Sequence, residues 1–516
     1  MWLAAALPIA VVLYLMVVRR WGGTKAGPAG WLTSLLVAAT VYQAGPAVLL
    51  ASQGKALFRS LLVLYIIWMA LALYQVVKEA GALEAIGAGM SRLTADRAMQ
   101  LLVLAWVFAS FLQGVTGFGV PVAVVAPMLV GLGFPALTAV VATGVAHGWA
   151  VTFGSLASSF YAMIAVTGID GHVLAPWSAA MLGLAALPCG MAVAVIHRGR
   201  AGLRHALPAI LVLAGVMGGT QLALASLGMW SLASFGGGIA GLAAVTLVTR
   251  VKRYRGTDAE RGAAAQAAVH APAMSMLEAM SAYLVLLVIV LAVRLVGPVR
   301  DLVQTFALQP RLPETSTALG WVNPATAERP LYLLGHAGAQ ILFACVVAWL
   351  IFRLRGRYAP GSARRIAGNT LRGSVKPTVG ILFMVGMAMF MVDSGMTYVL
   401  AVGVSRALGP VYPLAAPFIG ALGAFMTGSN TNSNVLFAPL QQGTATMLGL
   451  SVPLTLAAQN LGGAIGSVFA PAKVIVGCST VGLGGAEGEV LRRILLYGIA
   501  IVALGGLVTA LLSLLL

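Results

Sequence analysis

The sequence predicts an all-α polytopic membrane protein of about 12 to 14 transmembrane helices, built as two inverted repeats with discontinuous helices or re-entrant hairpins. Three observations predict it. The composition is 60% hydrophobic and 9% charged over 516 residues, against roughly 25% charged in an average soluble protein. Long charge-poor runs alternate with short basic clusters. Two stretches, 98–169 and 407–472, contain no Asp, Glu, Lys or Arg and are too long for one crossing. So little charge cannot coat a soluble globule, and disorder requires the opposite bias.

The elements follow in order. Charge-poor runs place helices near 2–18, 30–51, 60–77, 98–113, 134–166, 174–196, 206–227, 229–249, 279–297, 331–352, 377–392 and 494–516. The first lacks a charged leader and an Ala-x-Ala site, so it reads as a membrane helix rather than a cleaved signal. The net charge, 31 − 13 = +18, collects in clusters at Arg19, Arg20 and Lys25; Arg92 and Arg97; Arg198, Arg200 and Arg204; Arg250 to Arg261; and Arg353 to Arg372. All can face the cytoplasm, with the N-terminus and the loop 301–330 outside. Lys55 and Arg59 run against that rule. The organisation expected is 1–55, N-terminal helices; 56–200, a first repeat with a broken motif at 111–127; 201–330, central helices and the outer loop; and 331–516, a second repeat with a broken motif at 425–442. The location expected is the plasma (inner) membrane, with anionic lipid headgroups as partners and no nucleic acid. A homodimer stays open.

The two charge-free stretches are not simple apolar helix. The first carries FLQGVTGFGVPVAVVAP at 111–127 and the second FMTGSNTNSNVLFAPLQQ at 425–442. Gly, Pro, Ser, Thr and Asn at this density break helices, and in lipid each freed backbone group needs a partner. Gly114 and Gly428, Phe111 and Phe425, Gly81 and Gly395, Glu79 and Asp393, and Gly148 and Gly462 are all 314 residues apart. Paired broken segments in oppositely directed halves point to a secondary transporter with a midplane site.

The broken motifs offer Gln113, Gly114, Thr116, Gly117, Phe118 and Gly119, and Thr427, Gly428, Ser429, Asn430, Thr431, Asn432, Ser433 and Asn434, as substrate-binding candidates. Neither motif carries a fixed positive charge. Half-helix N-termini hold a small carboxylate through N–H donors, and hydroxyls and amides add bonds to an α-hydroxyl. The plainer reading is that these side chains satisfy broken backbone or join helices. Asp393 and Glu79 are coupling-ion candidates as intramembrane acids; the plainer reading places each at a helix end. His147 is a protonatable candidate near substrate, or a buried neutral ring. Lys473 meets a carboxylate or snorkels to the surface.

Several chemistries are excluded. There is no GxxxxGK[ST] and no HExxH or clustered metal-ligand set, so no metal and no cofactor beyond a coupling proton or sodium ion is expected. Cys189, Cys345 and Cys478 show neither metal nor disulfide spacing. An intramembrane enzyme would need clustered acids, His or Ser at one membrane face, so the chain reads as no enzyme.

The runs TADRAMQ at 94–100, FLQGVTGFGVPVAVVAPMLVGLGFPAL at 111–137, GALGAFMTGSNTNSNVLFAPLQ at 420–441 and GGAIGSVFAPAKVIVGCSTVGLGGAEGEVLRR at 462–493 resemble the lactate permease family of bacterial and archaeal secondary transporters. The likeness extends from about Leu61 to the C-terminus. It implies import of L-lactate, D-lactate or glycolate by proton symport, and, through similarity to the larger ion-transporter superfamily, inverted repeats and an elevator motion. The chain departs from the pattern at Gln113, where an acid is familiar, and at Lys473, where a neutral residue is. The expectation is thus a cation-coupled symporter for a small 2-hydroxy monocarboxylate. The alternatives are a transporter of another small anion (a sulfonate, dicarboxylate or oxyanion) or, further off, an intramembrane enzyme.

Overall fold

The computed structural model describes residues 1–19, 21–117, 119–256 and 274–515. Arg20, Phe118 and Arg261 lie outside the described residues. Helices α1 (Trp2–Val17), α2 (Gly23–Thr40), α3 (Pro46–Glu79) and the short α4 (Ala82–Ser91) come first. α5 (Arg97–Val115) contains a π-helical stretch, Leu102–Phe108. Then come α6 (Val120–Gly131), α7 (Ala136–Ala146), α8 (Gly154–Thr167), the 56-residue α9 (Gly171–Ser226), α10 (Trp230–Val248), α11 (Met276–Leu295) and the short α12 (Gly297–Val303). After the outer loop come α13 (Ala337–Leu354), α14 (Ser362–Asp393), α15 (Met396–Leu408), α16 (Tyr412–Thr427), α17 (Asn430–Met447), α18 (Val452–Val468), α19 (Pro471–Thr480) and α20 (Glu487–Ser513).

Among the described residues ten helical segments are long and apolar enough to cross a membrane. The pair α7–α8, bent by 50° at its break, makes an eleventh. α9 is interrupted at Arg198 and Gly199, where the basic cluster marks a loop in the sequence, and its two parts make a twelfth. Expectation and structure part in two places. The run 30–51 is not one helix: α2 stops at Thr40, Gln43 takes a left-handed φ of 51°, and Pro46 opens α3, where a missing N–H costs nothing. The run 134–166 is not one helix either, because it breaks between His147 and Gly154.

Close packing rests on small residues, as expected where lipid gives helices no hydrophobic reason to associate. A Cβ on Gly114 of α5 would lie 2.6 Å from the Phe235 Cα of α10, and one on Gly183 would lie 3.4 Å from the Gly218 Cα, where the two parts of α9 meet. All three cysteines are buried and free. The loop after α12 is one nested hairpin. Ala307–Leu308 (β1) pairs with Leu331–Tyr332 (β6), Arg311–Leu312 (β2) with Thr326–Ala327 (β5), and Thr315–Ser316 (β3) with Val322–Asn323 (β4), all antiparallel.

The 314-residue offset reappears in the element bounds. Gly23 and Ala337 start α2 and α13, Thr40 and Leu354 end them, Glu79 and Asp393 end α3 and α14, and Ala82 and Met396 start α4 and α15. Gly81 (φ 73°) and Gly395 (φ 86°) begin the turns between these last pairs in the same left-handed conformation, which glycine adopts freely. The packing is exchanged in the same sense: α3 lies against α13 and α14, and α14 against α2 and α3. α3 and α14 are antiparallel, since Lys55 near the start of α3 meets Asp393 at the end of α14, while Glu79 at the end of α3 meets Arg365 near the start of α14. α2 itself lies against α14 and α1.

Candidate functional site

The second broken motif turns at Gly428 (φ 70°) and restarts as α17, with the Ser429 hydroxyl accepting from the Asn432 backbone N–H at 3.3 Å. Thr427 Oγ1 donates back to the Gly423 carbonyl at 2.8 Å, which satisfies broken backbone. From here the run divides by helical face. Asn430, Thr431, Ser433 and Asn434 are buried and bound into neighbouring helices. Asn430 Nδ2 donates to Thr152 Oγ1 (2.9 Å), the Thr431 and Ser159 hydroxyls lie 2.8 Å apart, and Ser433 Oγ donates to the Gly420 carbonyl (2.7 Å). Asn434 Nδ2 donates to the Ser159 carbonyl (3.1 Å) and to Asn460 Oδ1 (2.8 Å), and Asn460 Nδ2 donates on to Ser178 Oγ (2.9 Å). These four side chains tie α17 to the segment before α8, to α8, to α16 and to α18, and through Asn460 to α9.

Ser429 and Asn432 face the other way. With Thr431 they line a cavity of about 450 Å³ whose wall is completed by Trp21 to Lys25, at the start of α2, and by Lys376 to Ile381 in α14. A Cβ on Gly23 would lie 3.4 Å from Asn432 Nδ2, so the N-terminal ends of α2 and α17 are neighbours. Lys25 and Lys376 are exposed, and Ile67 and Ile381 supply apolar wall. No carboxylate lines the cavity among the described residues. By the basic-cluster rule this side faces the cytoplasm.

The first broken motif lies elsewhere. Its turn uses Gly117 (φ 61°) and Gly119 (φ 86°) and restarts as α6 at Val120. Gln113 is buried, and its Oε1 has no hydrogen-bond partner. Thr116 Oγ1 donates to its own helix at the Leu112 carbonyl, 2.8 Å away. A Cβ on Gly117 would collide with Ser155 Oγ at the start of α8. Gly119 lies beside Lys473, whose Cγ would be 3.8 Å from an added Cβ. Lys473 Nζ donates to Ser467 Oγ at 3.2 Å and meets no carboxylate among the described residues. His147 is fully buried, with Nδ1 against the Thr143 carbonyl at 2.6 Å and Nε2 without a partner.

Among the described residues no hydrogen bond joins 113–119 to 427–434. α8 bridges them instead: its first turn packs on Gly117, and Ser159, in its second turn, bonds Thr431. That first turn is unusual. Ser155, Leu156 and Ala157 hold φ of 47°, 54° and 66°, a left-handed turn of three residues with side chains, where single residues are the rule.

The two acids sit at opposite ends of the α3–α14 contact. Asp393 accepts from Lys55 Nζ at 2.8 and 3.0 Å and from Ser52 Oγ at 2.8 Å, with the Lys55 and Asp393 side chains 15% and 6% exposed. Glu79 accepts from Arg365 Nε at 2.7 Å near the other surface. Lys55 and Arg59, the exceptions to the charge rule, are thereby explained, since Arg59 pairs with Glu328 of the outer hairpin at 3.0 Å. Lys25 and Lys376 escape a sequence reading because interfacial lysines look like orientation signals. No group of three His, Cys, Asp or Glu residues able to hold a metal occurs among the described residues.

Comparison with known proteins adds identity to this geometry. The family model for L-lactate permease matches residues 1–516. The chain is similar to the L-lactate permease of Escherichia coli strain K12 (26% identity over 99% of this chain and 95% of that one) and to the L-lactate permease of Bacillus subtilis strain 168 (28%, 98% and 95%). It is equally similar to the glycolate permease GlcA of E. coli K12 (26%, 99% and 95%). Among solved structures it is similar to the Alcanivorax borkumensis YdaH transporter, with a TM-score of 0.49 and 16% identity over 89% of this chain and 86% of that one. The chain belongs to the L-lactate permease family: it is a multi-pass membrane transport protein and not an enzyme.

Proposed function

We propose that the protein carries lactate, glycolate or a closely related small 2-hydroxy monocarboxylate across the plasma membrane, coupled to a proton or sodium gradient. The observation that carries this reading is the cavity at the break between α16 and α17, where the Ser429 hydroxyl, the Asn432 amide and the start of α17 face a space of about 450 Å³. That volume lies in the usual range for small-molecule sites, and hydrogen-bond donors with apolar wall suit an acid bearing a hydroxyl and a short alkyl group. The relatives named for lactate and for glycolate support the same substrate class. The antiparallel course of α3 and α14, at equivalent places in the two halves, supports inverted repeats exchanging access between the two sides.

The test is counterflow in proteoliposomes. Labelled L-lactate inside loaded vesicles should exchange with external L-lactate, D-lactate or glycolate, and an imposed proton or sodium gradient should drive net uptake. Competition only by sulfonates, dicarboxylates or oxyanions would replace this substrate assignment, and uptake indifferent to both gradients would remove the coupling.

A further inference from the structure

Lys55 and Arg59, both largely buried, have acids in Asp393 and Glu328, and Lys473 has the Ser467 hydroxyl. Lys25 and Lys376 are exposed. They come from helices far apart in sequence and both line the cavity, yet neither makes an ion pair or a side-chain hydrogen bond among the described residues. Like charges in one concave space repel, and low-dielectric walls strengthen that field relative to open water. The start of α2 adds to it, because its Gly22 cap supplies no side-chain acceptor for the first-turn N–H groups, which carry partial positive charge. The Thr24 hydroxyl and Asn432 amide also lack hydrogen-bond partners among the described residues while lining the cavity. Two unpaired ammonium groups beside a free hydroxyl and a free amide are complementary to an anion that also carries a neutral hydrogen-bonding group.

We propose that Lys25 and Lys376 together hold the carboxylate of the transported acid in this cavity, with Thr24 and Asn432 taking its hydroxyl. The proposal rests on the reading of the protein as a carboxylate transporter, and it places the counter-charge outside both broken motifs. A lipid phosphate presents the same anionic chemistry to lysines at a membrane surface, so the test must separate the two sources.

Purified wild type, Lys25→Gln, Lys376→Gln and the double variant are reconstituted in neutral lipid with and without phosphatidylglycerol, after melting and elution profiles have established that each is folded. Lactate counterflow is measured with lactamide, the uncharged analogue, as competitor. Each single change should raise the KM for lactate about tenfold, the scale of one charge-assisted hydrogen bond. The double variant should no longer distinguish lactate from lactamide, and Lys376→Arg should restore much of the difference. Trp21 lines the same cavity, so lactate should also change a fluorescence component that Trp21→Phe removes, and that change should vanish in the double variant. A double variant whose KM, discrimination and fluorescence response match wild type would overturn the lysine assignment and leave lactate transport standing. A KM difference seen only with phosphatidylglycerol present would assign the lysines to headgroups and overturn it too. If wild type moves neither lactate nor glycolate, the transport reading fails, and the fluorescence titration still decides the lysines.

Discussion

Asn432 and Asn434 are two residues apart and do different work. Asn434 is buried and gives both its N–H groups to fixed acceptors, whereas Asn432 faces the cavity with its amide unbonded. Asn434→Ala should therefore leave the Ser159 carbonyl and Asn460 Oδ1 short of a donor and cost about 1–2 kcal/mol of stability, read as a lower melting temperature in detergent. Asn432→Ala should leave the melting temperature within about 1 °C and reduce lactate uptake instead. Reversal of that pattern would exchange their roles. The sequence shows that SNTNSN interrupts a helix and is too polar for lipid. It does not show which members face a cavity, because Ser429 and Asn432 alternate along the chain with the other four and differ from them only in helical face, and only the positions of α2, α8 and α18 decide which face is wet.

At the scale of elements, the breaks at Gly117–Gly119 and Gly428 are readable because glycine marks a left-handed backbone. The break at the start of α8 is not, because Ser155, Leu156 and Ala157 carry no such mark. Left-handed conformation costs a residue with a side chain roughly 1–2 kcal/mol, and strain of this kind gathers at functional positions. Here it lies between the two broken motifs, pressed on Gly117 and one turn before the Ser159–Thr431 contact. Ser155→Gly should relieve part of it and raise stability by about 1 kcal/mol, measured by thermal melting. If the strained turn helps to relay movement between the halves, the same variant should change the lactate turnover rate; unchanged melting would show that the turn is not under strain. The helix spanning 46–79 is also longer than its charge-poor core at 60–77, because Lys55 and Arg59 find acids from other segments and so tolerate a partly buried place.

Across the whole molecule, the two halves are fastened at both ends of the α3–α14 seam. Lys55 and Glu79 are 24 residues apart on α3, about 36 Å at helical rise, which matches the distance from one membrane surface to the other. Removing one partner of a largely buried pair leaves the other charge uncompensated and costs about 3 kcal/mol or more. Asp393→Asn should therefore destabilise the protein, and adding Lys55→Met should recover most of the loss, both read by melting in detergent. Gradient-driven uptake retained in that double variant would make Asp393 a fastener; uptake that becomes indifferent to the gradient would restore it as a coupling group. The sequence carries the overall architecture well, since hydropathy, basic clusters and the 314-residue offset are all local or periodic signals. The lysine pair in the cavity is an encounter between residues 25 and 376, and no local signal encodes it.

The nested hairpin at 307–332 acts as a strap across the outer end of the seam. Its Asn323 amide holds the Asp393 carbonyl in the second half, Glu328 holds Arg59 in the first, and Arg329 reaches the Gly168 carbonyl beyond α8. One short ribbon is thus knotted to three separate places, so a displacement of α3 against α14 would have to carry the ribbon along or undo one of its knots.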